Sequence, residues 1–294
     1  MIEIIKLTKN YGSFKALDNV SMKIDSGESV CLLGENGAGK STLIKCILGM
    51  LEFSGCIKIN GNTIDADSVN HKFEIGYIPQ EPVFYDVKVD ELLSFFAVLR
   101  KADRQKIEES LSITGLADHA NKKTSELSGG LRQRLSFAIA LLSDPSFLIL
   151  DEPTSNLDAH ARLELMNLVG KLKQMGKTVL FSSHRLDEVE LLADRVYILK
   201  KGSLIIDSIE KNLTDTLGLK TRILLSVDSS FTQLTVDALK SMGIYPVSQN
   251  GRGITIYVDN SRKLEMIKQI LDSEIKLNDL SVETPTMDEI IRSL

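Results

Sequence analysis

Over residues 1–210, apolar residues come in short runs separated by stretches in which they recur every three or four places. The runs at 2–7, 29–33, 56–59, 75–78, 147–150, 178–182, 195–199 and 203–206 read as strands. Between them the spacing is helical, as in Val89, Leu92, Leu93, Phe96 and Leu99. Short β-branched or leucine-rich runs followed by helical segments predict an α/β fold with a mostly parallel sheet. The rhythm fails over 208–220, SIEKNLTDTLGLK, which places a linker at 211–220. A second pattern follows, with strands at 223–227, 254–258 and 275–282 and helices at 231–242, 262–271 and 287–294. Residues 221–294 therefore read as a small α+β appendage to a larger domain at 1–210.

Composition narrows the classes. The chain has 294 residues, 35 basic against 40 acidic, a net charge of −5. No block of lysine and arginine supplies the field that holds nucleic acid, so no nucleic-acid partner is expected. No apolar run reaches the ~20 residues of a membrane span. The start, MIEIIKLTKNYG, lacks the apolar core of a signal peptide, so the chain is expected in the cytoplasm. Cys31, Cys46 and Cys56 form no CxxC pair and read as small buried hydrophobes.

The segment Gly34-Glu35-Asn36-Gly37-Ala38-Gly39-Lys40-Ser41-Thr42 fits G-x-x-x-x-G-K-[ST]. Its glycines let successive amides turn inward around a phosphate chain. Lys40 adds a point charge for the outer phosphates, and Ser41 a hydroxyl for Mg²⁺. A strand runs into this loop and a helix out of it, so the helix's positive end adds to the same site.

A second feature is the apolar strand ending Leu150-Asp151-Glu152. Ligands of parallel sheets sit beyond the carboxyl ends of the strands, which is where both acids stand. Asp151 is expected to hold Mg²⁺ with Ser41. Glu152, on the opposite pleat, is expected to reach an attacking water as a base.

Leu127-Ser128-Gly129-Gly130-Leu131-Arg132-Gln133 precedes that strand at a helix start, where free amides and a hydroxyl make a second anion cradle. With the phosphate loop before it and Asp151-Glu152-Pro153-Thr154 after it, the chain closely resembles the ATP-binding cassette (ABC) ATPases over residues 2–207. That resemblance implies a P-loop NTPase cassette: a parallel-sheet core, an antiparallel β subdomain, and a helical subdomain at about 86–145. It also implies ATP and Mg²⁺ as ligands. Tyr11 matches the aromatic that stacks on adenine, and Gln80 the glutamine that reaches metal and water. Asp158, in Ser155-Asn156-Leu157-Asp158, matches the acid of the loop that crosses to a second cassette. His184 matches the switch histidine on the γ-phosphate. One departure is Leu131, where many members carry Gln or Met.

What the ATPase drives depends on what is attached. With one cassette and no span, transport requires separate transmembrane permease subunits, with this subunit peripheral on the inner face of the cell membrane. Residues 82–100, PVFYDVKVDELLSFFAVLR, lie where transporters of this family receive the permease. The ending SVETPTMDEII resembles ATPases of type-2 ABC exporters. Within that class, the run YIPQEPVFYD and Ser143-Asp144-Pro145 also resemble the ATPase of the copper-maturation transporter for nitrous-oxide reductase. A soluble ABC ATPase of iron–sulfur assembly is a third reading, but those cassettes lack such a tail. In the ABC family the two cradles of one subunit face different nucleotides, so the resemblance implies a homodimer that sandwiches ATP.

Overall fold

The computed structural model describes residues 1–64, 74–208, 220–245, 248–250, 253–273 and 275–283. The chain separates into two compact units, Met1–Lys211 and Asn212–Leu294. The expected linker at 211–219 and the expected helix at 287–294 lie outside the described residues.

In the first unit, β1 (Ile2–Tyr11), β2 (Phe14–Ile24), β4 (Ser54–Ile59) and β5 (Asn62–Thr63) form an antiparallel sheet in the order β2-β1-β4-β5. The strand reading missed β2. Its alternation is interrupted: Ala16, Leu17, Val20, Met22 and Ile24 are buried, but the pairing with β1 shifts register and Asn19 has φ 54°. Such bulges break the two-residue period by which strands are read.

The second sheet of this unit runs β10-β9-β3-β8-β7-β6 and is the expected parallel core. Its strands are β3 (Ser29–Leu33), β6 (Ile75–Ile78), β7 (Phe147–Asp151), β8 (Thr178–Ser183), β9 (Arg195–Lys200) and β10 (Ser203–Ser208). All pairs are parallel except β9 with β10. β3, β7 and β8 are buried along their whole length, as strands covered on both faces must be. Helices α1 (Lys40–Ile47), α5 (Ala159–Gln174) and α6 (Leu186–Leu192) begin beyond the carboxyl ends of these strands. One apolar cluster, including Leu7, Leu17, Val30, Ile44, Ile57 and Ile149, joins the two sheets.

Helices α2 (Val89–Arg100), α3 (Arg104–Thr114) and α4 (Gly129–Leu141) enclose their own apolar cluster, with Leu92, Leu93, Leu111, Leu116 and Leu135 inside. Asp103 caps α3 by accepting from the Lys106 amide, and Gly115 closes it at φ 68°.

In the second unit, β11 (Thr221–Ser226), α7 (Thr232–Ser241), β12 (Ser248–Asn250), β13 (Gly253–Val258), α8 (Lys263–Leu271) and β14 (Asp279–Glu283) follow in order. All pairs are antiparallel in the order β12-β13-β11-β14, the ferredoxin-like βαββαβ arrangement. Ile223, Leu225, Val236, Leu239, Ile254 and Ile256 form its core. Two details correct the sequence reading. The strand expected over 275–282 is paired only from Asp279, and the short polar β12 carries no apolar pattern that could announce it.

Candidate functional site

The loop between β3 and α1 is shaped by close backbone approach. A Cβ on Gly34 would lie 2.5 Å from the Leu199 carbonyl oxygen, and one on Gly39 would lie 2.8 Å from that of Ala16. Gly39 also holds φ 110°, which ordinary side chains resist. It precedes α1 and offers no side-chain cap, so the helix's first amides take no partner from it. Lys40 is buried there. Its Nζ donates to the carbonyls of Gly34 at 2.7 Å and Glu35 at 3.1 Å, and lies 3.0 Å from Glu152 Oε1.

Ser41 stands directly over the end of β7. Its Oγ donates to Asp151 Oδ1 at 3.1 Å, and Ser182 Oγ on β8 donates to the same oxygen at 2.8 Å. Asp151 is buried, and its charge adds to burial in pushing the Tyr77 phenol up to about 12. The chain turns sharply after it. Glu152 is not on the strand's opposite pleat as expected: β7 ends at Asp151, and Glu152 has φ 44°. Its amide donates to Ser182 Oγ at 2.9 Å, and its Oε2 lies 3.4 Å from His184 Nδ1.

These groups face one cleft of about 620 Å³, within the range of small-ligand sites. Tyr11, Asn36, Gly37, Gly39, Lys40, Ser41, Thr42, Gln80, Glu152 and His184 line it together. Gly34 and Ala38 of the loop, and Asp151, which Ser41 contacts, are not among the lining residues. Gln80 donates through Nε2 to Ser155 Oγ at 3.3 Å, tying the loop after β6 to the one after β7. At the opposite end, Tyr11 and Phe14 pair across the tip of the β1–β2 hairpin, both well exposed, with Lys9 Nζ 5.2 Å from the Tyr11 ring centre.

The second cradle does not enter this cleft. Ser128, Gly129 and Gly130 begin α4, where the Ser128 hydroxyl accepts from the Leu131 amide at 3.4 Å as the helix cap. Gly130 fits closely against α5: a Cβ there would lie 2.9 Å from Ala161 Cβ. Asp158 likewise caps α5, accepting from the Ala161 amide at 2.9 Å, and that bond holds its carboxyl below the usual range. Both features sit at helix starts, and neither is among the residues lining Lys40's cleft.

Sequence reading missed Phe14, Ser155 and Ser182. Phe14 was visible as the aromatic beyond the Tyr11-Gly12-Ser13 turn, and Ser182 as the polar residue inside an apolar strand. Ser155 had no separate signal.

A family profile described as ABC transporter matches residues 17–155. The chain is 30% identical over its whole length to the linearmycin resistance ATP-binding protein LnrL of Bacillus subtilis, covering 98% of that protein. Among solved structures it is similar to CbiO1 from Clostridium perfringens, part of the ABC transporter complex CbiONQ (32% identity, TM-score 0.68, 73% of this chain and 90% of that one). It is also similar to a dimeric ATP-binding cassette in a post-hydrolysis state bound to ADP and Pi (27% identity, TM-score 0.65, 71% of this chain and 99% of that one). The phosphate-binding loop, the acidic strand end and these similarities converge: the chain belongs to the ABC transporter family, as an ATP-binding and ATP-hydrolysing subunit.

Proposed function

We propose that this subunit binds Mg-ATP in the cleft at Lys40, hydrolyses it between two copies of the chain, and so powers a separate membrane permease that exports its cargo. The observation that carries the reading is the convergence of Lys40, Ser41, Glu152 and His184 on one cleft, with Asp151 directly beneath Ser41. Tyr11 offers its ring to the adenine, and Phe14 stands opposite it on the hairpin. The loop amides of Asn36, Gly37, Ala38, Gly39, Lys40 and Ser41 receive the phosphates, with Thr42 beside them, and Gly34 lets the backbone close around them. Lys40 exchanges its contact with Glu152 for the outer phosphate oxygens.

Ser41, Asp151 and Gln80 present hard oxygen donors suited to Mg²⁺, which keeps several waters and takes few protein ligands. The Ser41–Asp151 contact of 3.1 Å brings hydroxyl and carboxylate together at one edge of the phosphate loop. When bound, Mg²⁺ would neutralise charge on the phosphate oxygens. Glu152 orients the attacking water and accepts its proton as the water oxygen bonds to the γ-phosphorus and ADP leaves. His184 donates a hydrogen bond to the γ-phosphate and fixes the water's approach. Ser128, Gly129, Gly130 and Asp158 face a second copy's nucleotide, as their placement away from this cleft allows.

The permease side is supported by exposed apolar residues around the start and outer face of α2: Val83, Tyr85, Phe95, Val98 and Leu99. A peripheral position on the inner face of the membrane follows from such docking. No helix among the described residues is long and apolar enough to cross a membrane. Export is favoured by the whole-length match to a resistance protein, since removing a toxic compound is a direct way for a transporter to protect a cell.

The test is co-expression with the six-span permease expected in the neighbouring reading frame. Co-purification, and ATP-driven uptake of cargo into inverted vesicles, are the expected results. A chain that hydrolyses ATP but binds no permease would favour the soluble-ATPase reading instead.

A further inference from the structure

Glu188 on α6 takes no part in the chemistry above, yet its carboxylate is only 3% exposed. Leu150, Pro153, Leu165 and Phe181 line a small apolar pocket beside it. Burying a carboxylate there is costly unless donors replace its water. Both oxygens have one. Oε1 accepts a short hydrogen bond from Thr154 Oγ1, and Oε2 accepts from Ser183 Oγ at 2.7 Å. Arg185 Nε lies 3.6 Å from Oε1, with its guanidinium also held by Asp187. The Arg185 amide donates to Ser183 Oγ at 3.0 Å, which leaves the serine's own proton for Glu188.

The two hydroxyls come from different loops of the site. Thr154 follows Glu152 by two residues, and Ser183 immediately precedes His184. We propose that Glu188 is a positioning residue for ATP hydrolysis: by holding Thr154 and Ser183 on one carboxylate, it sets the approach of Glu152 to His184. The side chains of that pair lie 3.4 Å apart. This inference rests on the assignment of Glu152 and His184 proposed above.

Two further observations support it. Glu152 has a left-handed backbone, a conformation that persists for an ordinary residue only where its neighbours over-determine it. The bond from Thr154 to Glu188 and the bond from the Glu152 amide to Ser182 are such constraints. Packing alone does not account for the residue type, because a buried apolar side chain of similar volume is often at least as stabilising as a buried ionic network.

The experiment is steady-state ATPase kinetics with nucleotide affinity on the full chain carrying Glu188→Ala, Glu188→Gln or Thr154→Val, each alone and with His184→Ala. Glu188→Ala should lower kcat about tenfold or more while moving the ATP Kd less than about threefold. Glu188→Gln can still join both hydroxyls and should recover kcat to within about threefold of the native value. In the His184→Ala background, Glu188→Ala should change kcat less than about twofold, because the two act as one unit. Thr154→Val, which removes one hydroxyl with little change of shape, carries the same test if Glu188→Ala does not fold. Equal losses in kcat and affinity, or a Gln variant no better than Ala, would overturn the inference. Native turnover in His184→Ala would overturn the assignment of His184 and this inference with it. A slow His184→Ala on which Glu188→Ala acts independently would overturn this inference alone.

Discussion

Lys40 Nζ and Glu152 Oε1 lie 3.0 Å apart, with side chains only 4% and 11% exposed. The cation at the centre of the phosphate loop is thus neutralised by the acid at the end of β7. An incoming phosphate would compete with that carboxylate for the same ammonium, and in the proposed mechanism the displaced carboxylate is the group that takes a proton from water. On that proposal, binding and arming of the base would be one exchange of anions.

Removing the cation tests the loop. Mg-ATP bound at a hundredfold excess over Kd stabilises the native state by about 2.7 kcal/mol, which for a unit of this size raises Tm by roughly 5–10 °C. Lys40→Ala should lose most of that shift in a melting assay. It also strands Glu152 without its partner, so the variant should melt below the native chain even without nucleotide.

Glu152→Gln separates binding from chemistry. The amide keeps the shape but cannot accept the water's proton, so kcat should fall by about a hundredfold or more, about 2.7 kcal/mol in the transition state. It also removes the anion that competes for Lys40, so ATP should bind at least as tightly as to the native chain. Weaker ATP binding, measured by calorimetry, would show that the carboxylate supports the loop rather than competing with phosphate.

The phosphate loop was legible because its motif is continuous in sequence: Gly39 for its φ of 110°, Lys40 and Ser41 for the charge they must meet. The Lys40–Glu152 pairing was not, since it depends on the turn at Glu152 that brings two distant segments together. Ser182 escaped for the same reason: its partners are Asp151, at the end of the neighbouring strand, and the amide of Glu152 in the turn after it. In the fold, β3 and β7 were readable as fully buried runs, while β2 was hidden by its bulges. β12 was beyond reach, being three polar residues that pair with β13.

Asp144 gives a pH-dependent test. Its carboxylate lies 2.6 Å from Lys177 Nζ, joining the turn before β7 to the start of β8, and that hydrogen bond holds its pKa below the usual value. A depressed acid contributes stability above its unfolded pKa and loses it as pH falls through the folded one. Asp144→Asn should therefore melt slightly lower at pH 7, and the difference should close at acid pH. The carboxylate is 64% exposed, so the effect should be about 0.5 kcal/mol or less. A difference that grew on acidification would contradict the sign.

Truncation after Lys220 tests whether the second unit serves the cleft. The cleft's lining comes entirely from residues 11–184. Residues 221–294 carry 8 basic and 10 acidic residues and a ferredoxin-like core of their own. The truncated chain should bind ATP within about threefold of the native affinity, a change below 1 kcal/mol. Its self-association or its coupling to the permease should weaken. Loss of ATP binding would instead make the second unit part of the nucleotide site.

The last test concerns assembly. The proposal gives one chain two anion cradles, the amides at Lys40 and those after Ser128, and only the first lies at the cleft. A single nucleotide closed between protein surfaces needs donors on both sides of its γ-phosphate, and excluding water strengthens each contact. Two chains related by a two-fold axis would meet that need twice, each supplying the Lys40 loop to one ATP and the Ser128 helix start to the other. The γ-phosphate would then hold both halves, and its loss on hydrolysis would open the seam, a motion that the Gln80–Ser155 contact could pass toward a permease. Glu152→Gln with saturating ATP should run as a dimer in light scattering, and nucleotide-free protein mainly as monomer. Ser128→Arg should abolish the dimer by placing a bulky cation in the seam. Its helix cap can be lost at a cost of about 1 kcal/mol, so ATP binding by the monomer should survive. A trapped variant that stays monomeric with ATP, or a Ser128→Arg variant that still dimerises, would refute the shared site.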